Sequence, residues 1–224
     1  MEFCPASDRS LLAYVGNEIG QAAHEKVFRL LRCIETAQPS WLRNLQPAYC
    51  SVLICFDPVQ ITHDEVETAV RSLAKSSKKI SSVPSRTVEI PVRYGGEFGP
   101  DLEEAAALLS LSPQRVVELH AASAYRAYFL GFAPGFAYLG DLPSQLELPR
   151  LPSPRKEVPA GSVAIAGKQT AIYPFATPGG WRLIGRTPLN LFRPDRDPMS
   201  LIRLGDQVRF HPVSLEEFVN AERA

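Results

Sequence analysis

Six basic side chains, Arg150, Arg155, Lys156, Arg182, Arg186 and Arg193, fall among turn segments in the second half of the chain. A planar, always-charged guanidinium in such a place can grip a carboxylate or a phosphate through two parallel hydrogen bonds. Most arginines are solvated surface residues, so position must select among them. Arg155 and Arg186 each border a Gly/Pro turn at a strand end, where binding groups collect. Two glycine-bearing stretches accompany them: "FLGFAPGFAYLGDLP", 129–143, carries Gly131 and Gly135 among aromatics, and "TPGGWRLIG", 177–185, sets Gly179 and Gly180 before Trp181. Glycine serves a tight turn, and it also lets backbone amides approach a ligand closely. The two stretches together would form the rim and floor of one pocket from which Phe132, Phe136 and Tyr138 exclude water. For Trp181 alone, a turn with the indole filling the end of a barrel suffices.

His120 stands four residues after Val116 on a helix that opens at Ser112-Pro113, so its ring shares an apolar face. A neutral, hydrogen-bonded core histidine is the default for such a residue, and a proton-transfer group is the alternative. "AGSVAIAGKQT", 160–170, contains Gly-Lys, yet Gly161 and Gly167 enclose five residues rather than four. Gln169 also stands where a phosphate loop needs Ser or Thr for magnesium. That motif is rejected, and neither a G-x-S-x-G elbow nor a G-x-G-x-x-G fingerprint is present.

The 24 basic and 24 acidic residues cancel, which removes the sustained positive field that a phosphate backbone would require. With 45% hydrophobic residues the chain can bury a core, and no apolar run approaches the roughly 20 residues of a membrane span. "MEFCPASDRS" lacks a basic and an apolar leader region, so a cytoplasmic location is expected. Cys4, Cys33, Cys50 and Cys55 form no C-x-x-C pair and read as free thiols; His24, His63, His120 and His211 are isolated, so no metal site is expected.

The elements that must position these groups divide in two. "LLAYVG", 11–16, reads as a strand, and Val27, Leu30, Leu31 and Ile34 make a helical stripe ending before Pro39. "AYCSVLICFD", 48–57, is a strand region, and Thr62 with Glu65 forms a capping box for a second helix carrying Val66, Ala69, Val70 and Leu73. The pattern of strand, helix, one or two strands and helix predicts a small α+β layer with two helices on one face of an antiparallel sheet. The Ser- and Lys-rich stretch 75–85 is the best boundary, giving domains 1–82 and 83–224.

Beyond it, "RTVEIPVRYG" alternates like a strand. Leu102, Ala105, Ala106 and Leu109 mark one short helix, and Ser112-Pro113 opens another. "AYRAYFLGF", "SVAIAGKQTAIYP", "WRLIGRTPLNLF" and "QVRFHPV" are short β-like runs punctuated by Pro and Gly, the pattern of a small closed barrel. Ser214 and Glu217 form a capping box for a terminal helix.

Taken together, "PVRYGGEFGPDLEEAA", "GFAPGFAYLGDLP", "PRLPSPRKEVPAGSVAIAGKQTAIYP", "TPGGWRLIGRTP" and "LGDQVRFHPV" resemble the B subunit of the bacterial ATP-dependent 5-oxoprolinase, the KipI or allophanate-hydrolase-subunit-1 family, from about Leu11 to Val213. The resemblance implies an α+β fold: a small amino-terminal α/β sandwich followed by a cyclophilin-like β-barrel. It implies a component that is inactive alone and that works with the A and C subunits of the complex to open 5-oxo-L-proline to L-glutamate. ATP, with magnesium, would be bound in complex with the partner subunit. On that view Arg155 and Arg186 would hold phosphate or substrate carboxylate, Gln169 and the amides near Gly179 and Gly180 would donate hydrogen bonds, and His120 would move a proton. Gly131 and Gly135 would line the cofactor side. Alternatives within the family are an inhibitor of a sensor histidine kinase and a component of a urea- or allophanate-processing enzyme. The chain departs from the family pattern at Ala137, Leu151, Ala171, Thr177 and Arg193, where Pro, Arg, Gly, Ser and an acid are usual.

Overall fold

The structure is a computed structural model that describes residues 1–18, 20–76 and 86–223. Contacts divide the chain into Met1–Pro84 and Ser85–Ala224. The boundary stretch 75–85 lies, from residue 77 onward, outside the described residues.

The first unit runs β1 (Glu2–Ser7), β2 (Ser10–Tyr14), α1 (Gln21–Ala37), β3 (Leu42–Pro47), β4 (Ser51–Phe56) and α2 (His63–Ser76), with an antiparallel sheet ordered β1-β2-β4-β3. Alternation drives it: Val52, Ile54 and Phe56 are buried on one face of β4, where Leu11 and Ala13 of β2 join them. The expected stripe of α1 is buried at Val27, Leu30, Leu31 and Ile34, and the helix stops at Gln38, whose left-handed φ of 42° is followed by Pro39. At α2 the Thr62 amide donates to Glu65 Oε2 at 2.9 Å, as the capping box requires. The sheet has one strand more than the sequence predicts: β1 is an exposed edge carrying Pro5. Such a strand shows no apolar alternation, and an edge tolerates proline.

The second unit carries β5 (Thr87–Tyr94), β6 (Ala124–Leu130), β7 (Ala137–Gly140), β8 (Arg155–Val158), β9 (Ser162–Ala166), β10 (Gln169–Ile172), β11 (Thr177–Gly179), β12 (Arg182–Arg186) and β13 (Gln207–Pro212). Seven of these close into a barrel ordered β10-β7-β6-β13-β5-β12-β9. Neighbouring barrel strands are antiparallel except β13 with β5. Helices α3 (Leu102–Leu109) and α4 (Pro113–Ala122) connect β5 to β6, and α5 (Leu215–Glu222) follows β13. Ser112 caps α4 through the Arg115 amide, and the Ser214–Glu217 capping box opens α5. Val88, Ile90 and Val92 of β5, Tyr125 and Ala127 of β6, Leu139, Val163, Ile165, Ile184, Val208 and Phe210 fill the interior. The fold class is therefore α+β with a barrel, as expected.

The remaining two strands, β8 and β11, form a separate ribbon that accompanies the barrel. It accounts for the unbroken apolar run of β9: Val163 and Ile165 belong to the interior core, and Ala164 and Ala166 to a second cluster that includes Val158 of the ribbon. The stretch 129–143, read as an irregular loop, contributes β7, paired with β6 and β10.

Candidate functional site

The second cluster is built on the outer face of the barrel wall. Strand alternation turns Ala164 and Ala166 of β9 and Ala171 of β10 outward, and these small side chains leave room for rings to lie on the wall. Phe136, Tyr173, Trp181 and the half-buried Tyr138 occupy that room. Ring centroids are 6.0 Å apart for Phe136–Trp181, 5.3 Å for Phe136–Tyr173, 4.9 Å for Phe136–Tyr138 and 6.1 Å for Tyr138–Trp181, all edge-on. Phe129 stacks on Tyr138 at 4.4 Å. The Arg150 guanidinium lies 5.8 Å from the Trp181 ring centroid.

The two glycine-bearing stretches thus do converge, through Phe136 and Trp181, but on the side of the barrel. Trp181 does not fill a barrel end. Phe132 is at the outer margin of the wall: it is 62% exposed, with a left-handed φ of 72° at the tip of the β6–β7 loop, and its ring packs edge-on against Phe136 at 5.3 Å and Tyr173 at 6.3 Å.

Two of the four glycines are required by packing. Gly135 has φ 82°, and a Cβ there would come within 2.7 Å of Phe192 Cβ, so the loop seats directly on the Leu191–Phe192 segment. A Cβ on Gly179 would collide with the Tyr173 ring, which leans against the ribbon at that point. Gly131 and Gly180 would meet only ordinary contacts, at 3.5 Å from the Phe129 ring and 3.6 Å from Pro154.

Arg155 is fixed from behind. Its Nη2 donates to Asp101 Oδ1, and Asp101 Oδ2 accepts the Leu183 amide at 2.6 Å, so a buried carboxylate ties the ribbon to β12. Arg155 Nη1 is buried and has no hydrogen-bond partner among the described residues. The same holds for Gln169 Nε2 and Thr177 Oγ1. The register puts Gln169 on the wall face that carries Ala171, and pairs Thr177 with Val158 and Gly179 with Arg155. Three unpartnered polar groups, each able to donate, therefore sit on the elements that enclose the aromatic cluster. Burying such a group without an acceptor costs about 1–3 kcal/mol, which is why native structures rarely keep one without a function. The Tyr173 hydroxyl accepts a backbone hydrogen bond from Trp181, and burial holds its pKa above the ordinary phenol value.

His120 lies elsewhere. His120 is fully buried inside the barrel. Its Nδ1 is 2.8 Å from Tyr94 Oη, and its Nε2 is 2.9 Å from Thr170 Oγ1, which in turn donates to the Ala164 carbonyl at 3.0 Å. With the Thr170 proton committed to Ala164, the imidazole must donate from Nε2 and accept at Nδ1 from Tyr94. Desolvation lowers its pKa to about 3, so it is a neutral core group. Gln169 and Thr170 are neighbours on β10 and point to opposite faces, so the barrel wall separates His120 from Gln169. Arg186 of β12 has its guanidinium 5.6 Å from the ring centroid of Phe98, three residues before Asp101, and its Nε is buried and unpartnered among the described residues. The structure puts Gln169 on the outer face of β10, Arg155, Gly179 and Gly180 on or beside the β8–β11 ribbon, and Gly131 and Gly135 on the loop that carries Phe136.

Asp101, Tyr173, Thr177 and Arg150's placement over Trp181 have no local sequence signature. The Asp101–Leu183 bond spans 82 residues. The only hint is chemical: an acid at the mouth of α3 and a tyrosine just before a Gly/Pro turn.

The class of protein is shown by a family model: the one described as "Carboxyltransferase domain, subdomain C and D" matches residues 1–202, across the open α/β layer and most of the barrel unit. Among curated proteins, the 5-oxoprolinase B subunit of Bacillus subtilis is 40% identical over 225 residues, covering 94% of this chain and 92% of that protein. The protein of the same name from Escherichia coli O157:H7 is 46% identical over 191 residues, covering 85% and 86%. Among solved structures, TTHA0988 superposes with a TM-score of 0.81 at 37% identity over 92% of this chain, which spans 40% of that longer one. The chain belongs to the family of 5-oxoprolinase B subunits.

No described helix is long and apolar enough to cross a membrane.

Proposed function

We propose that this chain is the B subunit of an ATP-dependent 5-oxoprolinase, acting with the A and C subunits to convert 5-oxo-L-proline to L-glutamate, with the outer barrel wall contributing to the lactam site. The observation that carries the reading is likeness over nearly the whole length to two proteins named as 5-oxoprolinase B subunits. The unpartnered donors suggest where the chain takes part.

A lactam resists water because resonance strengthens its C–N bond, and ATP supplies the phosphoryl group that makes the carbonyl carbon electrophilic. The residues present suit such a ligand in part. Arg155 Nη1, held against Asp101, is a fixed cation for a carboxylate or phosphate oxygen. Gln169 Nε2 and Thr177 Oγ1 can donate to a lactam oxygen as negative charge builds on it. Phe136, Tyr138 and Trp181 keep water from the face they cover. No three His, Cys, Asp or Glu side chains come together as metal ligands among the described residues, so magnesium would accompany the nucleotide's own phosphate oxygens or be held by a partner chain. His120 supports the wall from within, by fixing Thr170 beside Gln169.

Co-expression with homologues of the A and C subunits tests this. The expected result is ADP release that depends on 5-oxoproline and on all three chains. A purified assembly that hydrolyses no ATP with this lactam would overturn the reading, and suppression of kinase autophosphorylation by the chain alone would replace it with the inhibitor role.

A further inference from the structure

A cavity of about 200 Å³ on the barrel unit shares no lining residue with the aromatic wall. Arg86, Arg193, Arg196 and Arg203 line it, with Asn190 and a single carboxylate, Asp197. Its frame is the segment between β12 and β13. Arg193 N–H donates to the Met199 carbonyl at 2.7 Å and Leu201 N–H to the Leu191 carbonyl at 2.9 Å, while Asn190 Oδ1 accepts the Phe192 amide. The excursion is therefore backbone-bonded across its base, with Arg196 near its tip.

Two of the four guanidinium groups are held in place. Arg86 donates Nε and Nη2 to the buried Asp206 at 3.3 and 2.6 Å, and Nη2 also reaches the Leu201 carbonyl. Arg193 makes a two-point pair with Asp195 at 3.3 and 2.9 Å. Asp206 is further engaged by the Arg203 amide at 2.8 Å. No side-chain hydrogen bond or close ion pair holds Arg196 or Arg203 among the described residues, although the Arg196 charge helps to lower the pKa of Asp195. Four arginines set against Asp195, Asp197 and Asp206 leave one net positive charge, and two forks of donors without a fixed acceptor, on a chain whose formal charge is zero. Like charges gathered in a concave place repel one another, and an anion relieves that repulsion. Arginine's planar fork matches tetrahedral oxyanions, and each charge-assisted pair is about twice as strong as a neutral one. The volume lies below the 300 Å³ or so that a drug-sized ligand needs, so a whole nucleotide does not fit inside.

We propose that this cavity is a binding subsite for one doubly charged phosphate group, either free or at the end of a larger molecule whose remainder stays outside. Arg196 and Arg203 close on it, Arg86 and Arg193 provide a fixed positive wall, and Asp197 limits its affinity. The inference is independent of the lactam site and needs no partner chain.

The test is calorimetric titration of the full chain at low ionic strength with inorganic phosphate, pyrophosphate, ATP and, as a carboxylate control, L-glutamate. Saturable phosphate binding is expected, weakened at least about tenfold by R196A combined with R203A, and tightened by D197N. These three side chains are exposed, so the variants should keep the wild-type melting temperature, which is measured alongside. Inorganic phosphate binding as tightly as ATP identifies a free-phosphate site; ATP or pyrophosphate binding more tightly, with the same dependence on the arginines, identifies a terminal phosphate. No saturable binding of any phosphate compound, binding that the arginine substitutions leave unchanged, or glutamate binding as tightly as phosphate would each overturn the proposal.

Discussion

The two faces of strand β10 behave differently. On the inner face, Thr170 belongs to a closed chain of hydrogen bonds running from Tyr94 through His120 to the Ala164 carbonyl, and the Tyr125 hydroxyl donates to the His120 carbonyl at 2.9 Å. Each polar group in that chain has a partner. On the outer face, one residue away, Gln169 presents a buried amide donor with no partner among the described residues, and Arg155 Nη1 and Thr177 Oγ1 of the ribbon are likewise unpartnered. A buried network that is complete stabilises and specifies a core, whereas one left incomplete is a cost that a bound acceptor can remove. The difference separates residues that hold the barrel from residues available to a ligand, although histidine is by residue type the better catalytic candidate.

The largest effect should come from breaking the inner network. His120→Ala leaves a cavity and takes the acceptor from the Tyr94 hydroxyl, and should cost about 3 kcal/mol at pH 8 in urea unfolding. The wild type should also lose stability with acid in a way this variant does not. The folded-state pKa of about 3 lies below the unfolded value of 6.5, so the unfolded chain takes up the proton first. Stability contributed by neutral His120 is then complete above pH 6.5 and falls by up to about 1.4 kcal/mol per pH unit below it. The gap between wild type and His120→Ala should narrow between pH 7 and pH 5. A constant gap would mean that His120 is not desolvated as described.

An intermediate effect is expected at the tie between the faces. Asp101→Ala removes the acceptor of both Arg155 and the Leu183 amide, and should cost about 2–3 kcal/mol, because Arg155 is partly exposed and recovers some hydration. An unfolding midpoint shifted by less than the equivalent of about 1 kcal/mol would show that the ribbon does not depend on this carboxylate.

How much of this the sequence discloses follows from range and periodicity. Local signals were legible: the Thr62–Glu65 and Ser214–Glu217 boxes, the Ser112 cap, and the alternation of β5 all appear where residue types place them. The strands β1, β7, β8 and β11 were not, being short, edge-placed or rich in Gly and Pro, so no period-2 pattern can develop. Within the candidate site, Arg155 and Gln169 stand out as residue types beside turns. Their relation to Asp101 and Tyr173 depends on contacts made across the fold, which no local spacing encodes. The placement of His120 depends on which side of the barrel wall it faces. In strands buried on both sides, such as β9, hydrophobicity carries no information about facing.

The smallest effect on stability should accompany a large one on activity. Gln169→Leu replaces an unpartnered amide with an apolar group of similar size, so its unfolding free energy should equal that of the wild type or exceed it by up to about 1 kcal/mol. The decisive measurement is 5-oxoproline-dependent ADP release by the assembled complex carrying this substitution. A fall of about tenfold or more with an undiminished melting temperature is the predicted result. Release at the wild-type rate from an equally stable protein would contradict the assignment of the outer wall as the ligand-facing side of the barrel.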